Sequence, residues 1–175
     1  AIVNYQGGEL ELSNSTVTDN NAYDAAVFNG ENSKATVTST IIAGNSGEII
    51  PERDDVIGTF ISGGNNLIGN VTASNGFDSP SDLTGTADNP LEPRLGELQN
   101  NGGATPTIAL LDSSPAIDVG SNPNNLATDQ RGEGFNRTVD NGTDIGAYEV
   151  QNIVSSNEIV GTGKSDFLDG TAKDD

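Results

Sequence analysis

The apolar positions in the first part of the chain recur at a fixed interval. Two apolar series and one asparagine series keep a step of 25 residues: Leu10, Ala35 and Phe60; Val17, Ile42 and Leu67; and Asn20, Asn45 and Asn70. The segments around them are rich in residues that favour strands, alternate only partly, and carry no helix signals. A period of this length indicates short, similar units stacked on one another. The pattern therefore predicts an all-β parallel solenoid, or β-helix, with about 25 residues in each coil.

Three coils can be followed in this part of the sequence. They cover residues 7–20, 32–45 and, in degenerate form, 60–70. Asparagines at equivalent places in stacked coils can bond to one another, so a ladder of amides that lies inward or at a turn is predicted. Its members would be Asn20, Asn45 and Asn70. A row of amides that faces a ligand is the alternative.

Beyond the third coil the regularity weakens. Residues 71–104 carry scattered glycines and prolines, which predict a long excursion without regular elements. Short strands are expected again within residues 105–150, at 107–110 and 145–148. We therefore predict a β-helix over residues 1–150 with an irregular C-terminal part, a polar linker over 151–157, and a second repeat of shorter period over 158–175.

Charge narrows the range of partners. The chain has 26 acidic and 7 basic residues, a net charge of −19, and only 33% apolar residues, which suits a solenoid with a polar outer face. Such a surface repels nucleic acid and anionic lipid, so neither is expected as a partner. It attracts cations, calcium above all, because hard cations prefer carboxylate and carbonyl oxygens. Acidity that only keeps a secreted or halotolerant protein soluble is the alternative.

Two residue types that carry much of protein chemistry are missing. There is no cysteine and no histidine, so disulfides, thiolate metal sites, imidazole ligands and a Ser-His-Asp triad are excluded. No apolar run approaches the roughly 18 residues that a membrane-spanning helix needs, so no transmembrane segment is predicted. The chain begins and ends inside a motif, so we expect a fragment or a subunit that docks end-on to its neighbours.

The last residues show a nine-residue repeat. Gly161 and Gly170 are nine apart, as are Asp166 and Asp175. This segment resembles the start of the RTX, or hemolysin-type, calcium-binding nonapeptide repeats, GGxGxDxUx. The resemblance implies bound calcium, with carboxylates from Asp166 and Asp175 and turns at Gly161, Gly163 and Gly170. Thr and Lys replace two glycines of the pattern in each copy, at 162, 164, 171 and 173, and fewer than two copies are present.

A second resemblance covers most of residues 1–150. Its motifs are LGELQNNGGATPT at 95–107, SPAIDVG at 114–120, TDQRG at 128–132 and DIGAYE at 144–149. In this order they resemble the choice-of-anchor Q domain of bacterial surface proteins. That family implies a right-handed parallel β-helix of the pectate-lyase-like shape, in a secreted or surface-anchored protein. It implies no defined reaction.

Five charged residues fall inside these motifs. They are Asp118, Asp129, Arg131, Asp144 and Glu149. One interpretation is a carboxylate cluster for glycosidic chemistry or calcium. The other, which we favour, is a structural network in which Arg131 pairs with one or two acids and Asp118 and Asp144 accept backbone N–H bonds, because an unpaired buried charge is costly.

The functional hypotheses are therefore two. The first is an extracellular or cell-surface structural or adhesive module, stabilised by calcium, that associates with itself or with neighbouring domains of a longer chain and assembles end to end into a filament or surface layer. The second is a polysaccharide lyase, hydrolase or epimerase, with an extracellular polysaccharide as partner. Scarce basic residues and an aromatic content of 5% without tryptophan favour the first, non-enzymatic hypothesis.

Overall fold

The computed structural model describes residues 1–47, 55–140 and 142–151. These residues contain fifteen strands and no α-helix, which confirms the all-β prediction. The strands are β1 (Ile2–Asn4), β2 (Glu9–Ser13), β3 (Thr16–Val17), β4 (Asn21–Ala22), β5 (Val27–Asn29), β6 (Lys34–Thr38), β7 (Ile41–Ile42), β8 (Ser46–Gly47), β9 (Val56–Thr59), β10 (Ile61–Ser62), β11 (Leu67–Ile68), β12 (Ser74–Asn75), β13 (Leu83–Thr84), β14 (Leu95–Gln99) and β15 (Thr107–Leu110). None of the described residues forms a helix of the length and apolarity that a membrane crossing requires.

Thirteen of these described strands pair in parallel with the equivalent strand of the next repeat. The sheet orders are β1-β5-β9-β12, β2-β6-β10, β3-β7-β11-β13 and β4-β8. The first repeat thus contains β1–β4, the second β5–β8, the third β9–β11 and the fourth β12 and β13. Between the first two repeats every pair keeps the predicted step of 25 residues, as in Leu10 with Ala35. The remaining strands, β14 and β15, form an antiparallel hairpin.

One hydrophobic core lies between the sheets of the stacked repeats. Ala35 and Phe60 are buried in it and Leu10 packs against it, so the first apolar series is confirmed as one stack. At the far end of the stack the Phe77 ring packs on Phe60, with ring centroids 5.1 Å apart. The core therefore continues through the stacked repeats, from Leu10 in the first to the Phe60–Phe77 ring pair at the other end.

The second apolar series is wrong at its last member. Leu67 pairs with Ile41, and it is Ile68 that pairs with Ile42 and so continues the series from Val17. The preceding strand β10 keeps the 25-residue step, so the third repeat gains one residue between β10 and β11. Successive side chains of a strand point to opposite faces, so a shift of one residue moves Leu67 to the outer face.

The same extra residue limits the asparagine ladder. The N–H and Nδ2 of Asn20 donate to Asn45 Oδ1 at 3.1 and 3.0 Å, as predicted. The N–H and Nδ2 of Asn45 donate to Asp55 Oδ1, at 3.2 and 2.8 Å, so the prediction that Asn70 comes next is wrong. Asn70 Oδ1 instead accepts the N–H of Thr72, two residues on. The ladder is a structural feature, as expected, but it ends on a carboxylate.

A second ladder runs beside the first and has no visible period in the sequence. The N–H of Ser15 donates to Thr40 Oγ1 at 3.4 Å, and that of Thr40 to Asn66 Oδ1 at 3.1 Å. The N–H and Nδ2 of Asn66 then donate to Asp82 Oδ1, both at 3.0 Å. The residue type changes at every step, so sequence spacing alone does not reveal this ladder.

The predicted excursion over residues 71–104 is wrong in part. β12 pairs with β9 and β13 with β11, so residues 74–84 continue two of the sheets as a fourth repeat. The step here is 16 residues, from Leu67 to Leu83. Each strand has only two residues, and the glycines and prolines that predict a loop lie around them. A strand this short leaves no periodic signal.

The irregular C-terminal part forms a second layer over the stacked repeats. Ile42 and Ile68 point to the inner core, whereas their neighbours Ile41 and Leu67 point outward. The outer cluster is completed by Ala43, Leu110, Ala116 and Ile145. The sheet β3-β7-β11-β13 is therefore covered on both faces.

The strand predicted at 145–148 is absent, although this segment lies against the outer face of that sheet. The N–H of Ile145 donates to Ala116 O and that of Gly146 to Ser39 O, at 2.8 and 2.9 Å, outside any ladder. Gly146 has φ of 103°, a conformation that favours glycine, and a Cβ there would lie 2.8 Å from a methyl of Ile41. The chain turns tightly here to bring the next residues into a polar network.

Candidate functional site

Four of the five charged residues predicted as a cluster lie together beneath the C-terminal layer. Asp129, Arg131, Asp144 and Glu149 are all buried, with exposed fractions of 6% or less. The fifth residue, Asp118, lies exposed at the edge. We call the buried set, together with Arg137, the charged network. It ties three separate loops to one another.

Arg131 is the centre of one half of the charged network. Its Nη2 lies 2.6 Å from Asp129 Oδ2, its Nε donates to the same carboxylate, and its Nη2 also donates to the backbone oxygen of Glu149. Its guanidinium lies between two rings, with Cζ 4.0 Å from the centroid of Phe135 and 3.8 Å from that of Tyr148. The prediction that Arg131 pairs with an acid is confirmed.

Asp144 holds two backbone groups, which confirms half of the turn prediction. Its carboxylate accepts the N–H of Asp118 at 2.8 Å and that of Val150 at 2.6 Å. The prediction for Asp118 is wrong, because this residue contributes its backbone N–H and its carboxylate accepts no bond from a described residue. Asp118 has φ of 58° and is exposed, and its carboxylate lies close to Gly142.

Arg137 completes the charged network and was not predicted as part of it. It is 1% exposed, donates from Nη2 to the backbone oxygen of Asp144 at 2.6 Å, and has Nη1 3.9 Å from Glu149 Oε2. Its Nε and Nη1 have no hydrogen-bond partner among the described residues. Burial lowers the pKa of Arg137, and the negative charges of Glu149, Asp129 and Asp144 oppose that effect. Two arginines six residues apart in a chain with 7 basic residues were the available signal.

Two carboxyl groups in the charged network have pKa values above their usual range. Burial raises the pKa of Glu149 to about 7, against the hydrogen bond from Asp144 N–H and the positive charge of Arg137. Burial also raises the pKa of Asp144, although its two backbone hydrogen bonds oppose the rise. The network therefore changes its charge near neutral pH, through Glu149 above all.

We expect Glu149→Gln to remove part of the pH dependence of stability. A carboxyl whose pKa is higher in the folded state binds more protons there, so stability falls as pH rises from about 4.5 to about 7. The part of this fall in unfolding free energy that comes from Glu149 is on the order of 3 kcal/mol. Urea unfolding across this range measures it, with Glu97→Gln on the exposed face of β14 as the matched control. If the free energy of unfolding fell equally with pH in the Glu149→Gln and Glu97→Gln chains, the assignment would be contradicted.

A cleft opens beside the charged network, between the C-terminal layer and the first repeat. It has a volume of about 520 Å³ and is lined by Asn14, Ser15, Thr16, Leu126, Thr128, Asp129, Gln130, Arg137 and Ala147. This size lies within the range of small-molecule sites. Apolar atoms contribute more of its surface than polar ones, and its polar atoms come mainly from hydroxyl and amide side chains; the carboxylates of Asp144 and Glu149 do not line it.

The predicted calcium residues cannot be placed by the structure. Asp166, Asp175, Gly161, Gly163 and Gly170 all lie outside the described residues. Within residues 1–47, 55–140 and 142–151, no three or more Asp and Glu side chains are arranged to hold a metal ion. Calcium binding at the nonapeptide segment stays a prediction.

Compared with known proteins, the chain matches no protein-family model, no curated protein and no solved structure. The resemblances to the choice-of-anchor Q domain and to the RTX repeats therefore rest on the sequence motifs. The chemistry of the site rests on the charged network and the cleft.

Proposed function

We propose that the chain is a structural or adhesive module of an extracellular or bacterial cell-surface protein, built as a right-handed parallel β-helix. The observation that carries this proposal is the in-register parallel stacking of the first repeats, with polar ladders between them. Stacked repeats of this kind make stiff, elongated elements. The family resemblance supports the surface location and the handedness.

The state of the charged residues supports a role without catalysis. Glycosidases need two carboxyl groups that face the substrate at a spacing of roughly 5 to 10 Å. Here the carboxylates of Asp129, Asp144 and Glu149 lie 6% exposed or less and each accepts a backbone N–H. Groups held this way join loops to one another, and they are poorly placed to exchange protons with a bound polymer.

The cleft beside Arg137 favours a second candidate, an enzyme that acts on polysaccharide. Hydroxyl and amide groups of Ser15, Thr16 and Gln130 suit sugar hydroxyls. Incubation of the chain with neutral and uronate-containing polysaccharides, followed by product analysis, tests this candidate. Cleavage or epimerisation that Gln130→Ala diminishes, and that exposed Asn75→Ala does not, would replace the structural proposal.

Calcium is expected to act on the C-terminal nonapeptide segment. We expect the chain to bind calcium with a dissociation constant on the order of 10⁻⁴ to 10⁻³ M, the usual range for extracellular modules. Isothermal titration calorimetry measures it, and the double change Asp166→Asn and Asp175→Asn is expected to abolish the signal. The control is Asp112→Asn at an exposed position. Equal calcium binding by the double variant would contradict the assignment of these carboxylates.

The structural proposal itself is tested by imaging. Negative-stain electron microscopy of the native surface protein that contains this chain is expected to show rods or filaments, which a calcium chelator shortens or disperses. Compact, isolated particles with polysaccharide-cleaving activity would overturn the proposal. The imaging result does not depend on whether a further repeat can dock on either end of the stacked repeats.

A further inference from the structure

The two ends of the stacked repeats differ. Among the described residues, β1, β2 and β3 of the first repeat each stand at the edge of their sheets, with a partner strand on one side only. The apolar side chains of this repeat are only partly buried, whereas the residues that pair with them in the second repeat are fully buried. The partly buried side chains are Ile2, Leu10, Leu12 and Val17, and their buried counterparts are Val27, Ala35, Val37 and Ile42. The core therefore reaches this end without a cover.

The polar ladders have a direction. Where a side-chain oxygen accepts, N–H groups of the earlier repeat donate and Oδ1 or Oγ1 of the later repeat accepts. The Nδ2 groups of Asn45 and Asn66 also donate back to backbone oxygens of the earlier repeat, those of Val17 and Val37. Asn45 Oδ1 accepts from Asn20, and Asn29 Oδ1 accepts from Asn4 at 2.8 Å. The equivalent oxygens of the first repeat, Asn20 Oδ1 and Asn4 Oδ1, accept nothing from the described residues. The first repeat thus presents two acceptors in the register that a preceding repeat would use.

The opposite end is closed by carboxylates and by a ring. The ladders end on the side chains of Asp55 and Asp82, whose carboxylates accept hydrogen bonds and carry no amide donor such as the Nδ2 of asparagine. Asp82 takes donors from Asn66, from Ser62 Oγ at 2.6 Å and from the N–H of Ser79. The Phe77 ring covers the core at this end. The side-chain amides of the ladders therefore leave oxygens open to a further repeat at the first repeat, whereas the other end carries carboxylates.

We propose that the exposed face of the first repeat is a docking surface for a further parallel β-repeat of the same 25-residue pattern. Such a repeat pairs with the free edges of β1, β2 and β3, covers their partly buried apolar side chains, and donates to Asn4 Oδ1 and Asn20 Oδ1. The surface continues the interface already present between the first and second repeats. The inference rests on the proposed stacked-repeat role and assigns the added repeat to the end formed by β1, β2 and β3.

A second copy placed face to face does not fit this surface as well. The Nδ2 groups of Asn4 and Asn20 already donate within the chain, to Asn29 and Lys34 O and to Thr18 O and Asn45. Two first-repeat faces would therefore bring acceptor against acceptor. An added repeat in the parallel orientation brings its own N–H groups and amides and avoids this mismatch.

The test extends the full chain with a duplicate of residues 1–25 fused directly before Ala1. The control carries the same 25 residues in scrambled order. Thermal unfolding and hydrogen exchange of the β1, β2 and β3 amides are measured. We expect the ordered extension to raise Tm by several degrees and to slow exchange of these amides by about tenfold or more, with no change for the scrambled one. No difference between the two extended chains overturns the proposal.

Two further arms identify the occupant. Asn20→Leu is expected to lower Tm more in the extended chain than in the 175-residue chain, because only there does Asn20 Oδ1 have a donor. Equal losses overturn the ladder argument. Sedimentation analysis of the 175-residue chain is expected to show a monomer. A dimer whose β1, β2 and β3 amides are protected from hydrogen exchange would make a second copy the occupant and overturn the proposal.

Discussion

Arg137→Met is expected to lower the free energy of unfolding by about 3–5 kcal/mol near pH 8, the range for removal of one partner of a buried ion pair. The change leaves the backbone oxygen of Asp144 without its donor and the Glu149 carboxylate without its nearest positive charge. Both groups are 1% exposed, so water does not replace the lost partner. Methionine keeps the unbranched stem of the arginine side chain and much of its packing, so the measured loss reports mainly the removal of the guanidinium charge.

The loss is expected to shrink at lower pH. Burial already raises the pKa of Glu149 to about 7, and without Arg137 the pKa rises further. Below that range Glu149 is neutral in both chains, so the missing guanidinium costs less. Urea unfolding of both chains at low and high pH measures the difference. The control is Arg94→Met at an exposed position, which is expected to change the free energy of unfolding by no more than about 0.5 kcal/mol.

A pH-independent loss, or one as small as that of Arg94→Met, would contradict this account of the charged network. The double variant Arg137→Met with Glu149→Gln gives a further check. Since the two groups lie 3.9 Å apart at Nη1 and Oε2, their effects are expected not to add.

Asn66→Ala is expected to lower the free energy of unfolding by about 2–4 kcal/mol, from one buried group left unpaired and from lost packing. Asn66 is fully buried and its Oδ1 accepts the N–H of Thr40. Its Nδ2 lies 2.9 Å from Val37 O and 3.0 Å from Asp82 Oδ1. Alanine leaves the Thr40 N–H, also fully buried, without an acceptor.

Chemical denaturation measures this effect, and Asn75→Ala in the exposed edge strand β12 is the matched control. A loss for Asn66→Ala no larger than that of the control would show that the second ladder adds nothing to stability. Hydrogen exchange of the Thr40 amide is a direct readout, because this amide is expected to exchange faster in the variant than in the parent chain.

The period of the sequence was enough to predict strands, parallel pairing and the step between the first two repeats. It was not enough to follow the third repeat, since one inserted residue moved Leu67 to the outer face and gave its place to Ile68. Pattern analysis assigns a face from spacing, and a shift of a single residue reverses that assignment. The fourth repeat was missed for another reason, because strands of two residues are too short to show alternation.

The residues of the candidate site, like the strands, are predictable from the sequence only in part. The motifs point to Asp118, Asp129, Arg131, Asp144 and Glu149, and the favoured structural interpretation holds for Arg131 and Asp144 and is wrong for Asp118. Arg137 is not part of that prediction: its spacing from Arg131 is the one sequence signal, and its burial beside Glu149 depends on the tertiary structure.

By itself, the sequence determined the all-β class, the repeat length and the acidic, cysteine-free surface, because these follow from local preference, spacing and composition. Only the tertiary structure decided which residue closes each ladder, which face each apolar side chain takes, and which arginine is buried among the acids. Those outcomes depend on contacts between residues far apart in the chain, such as Asn14 with Ser121 and Gly146 with Ser39, and these contacts form only when the second layer packs on the stacked repeats.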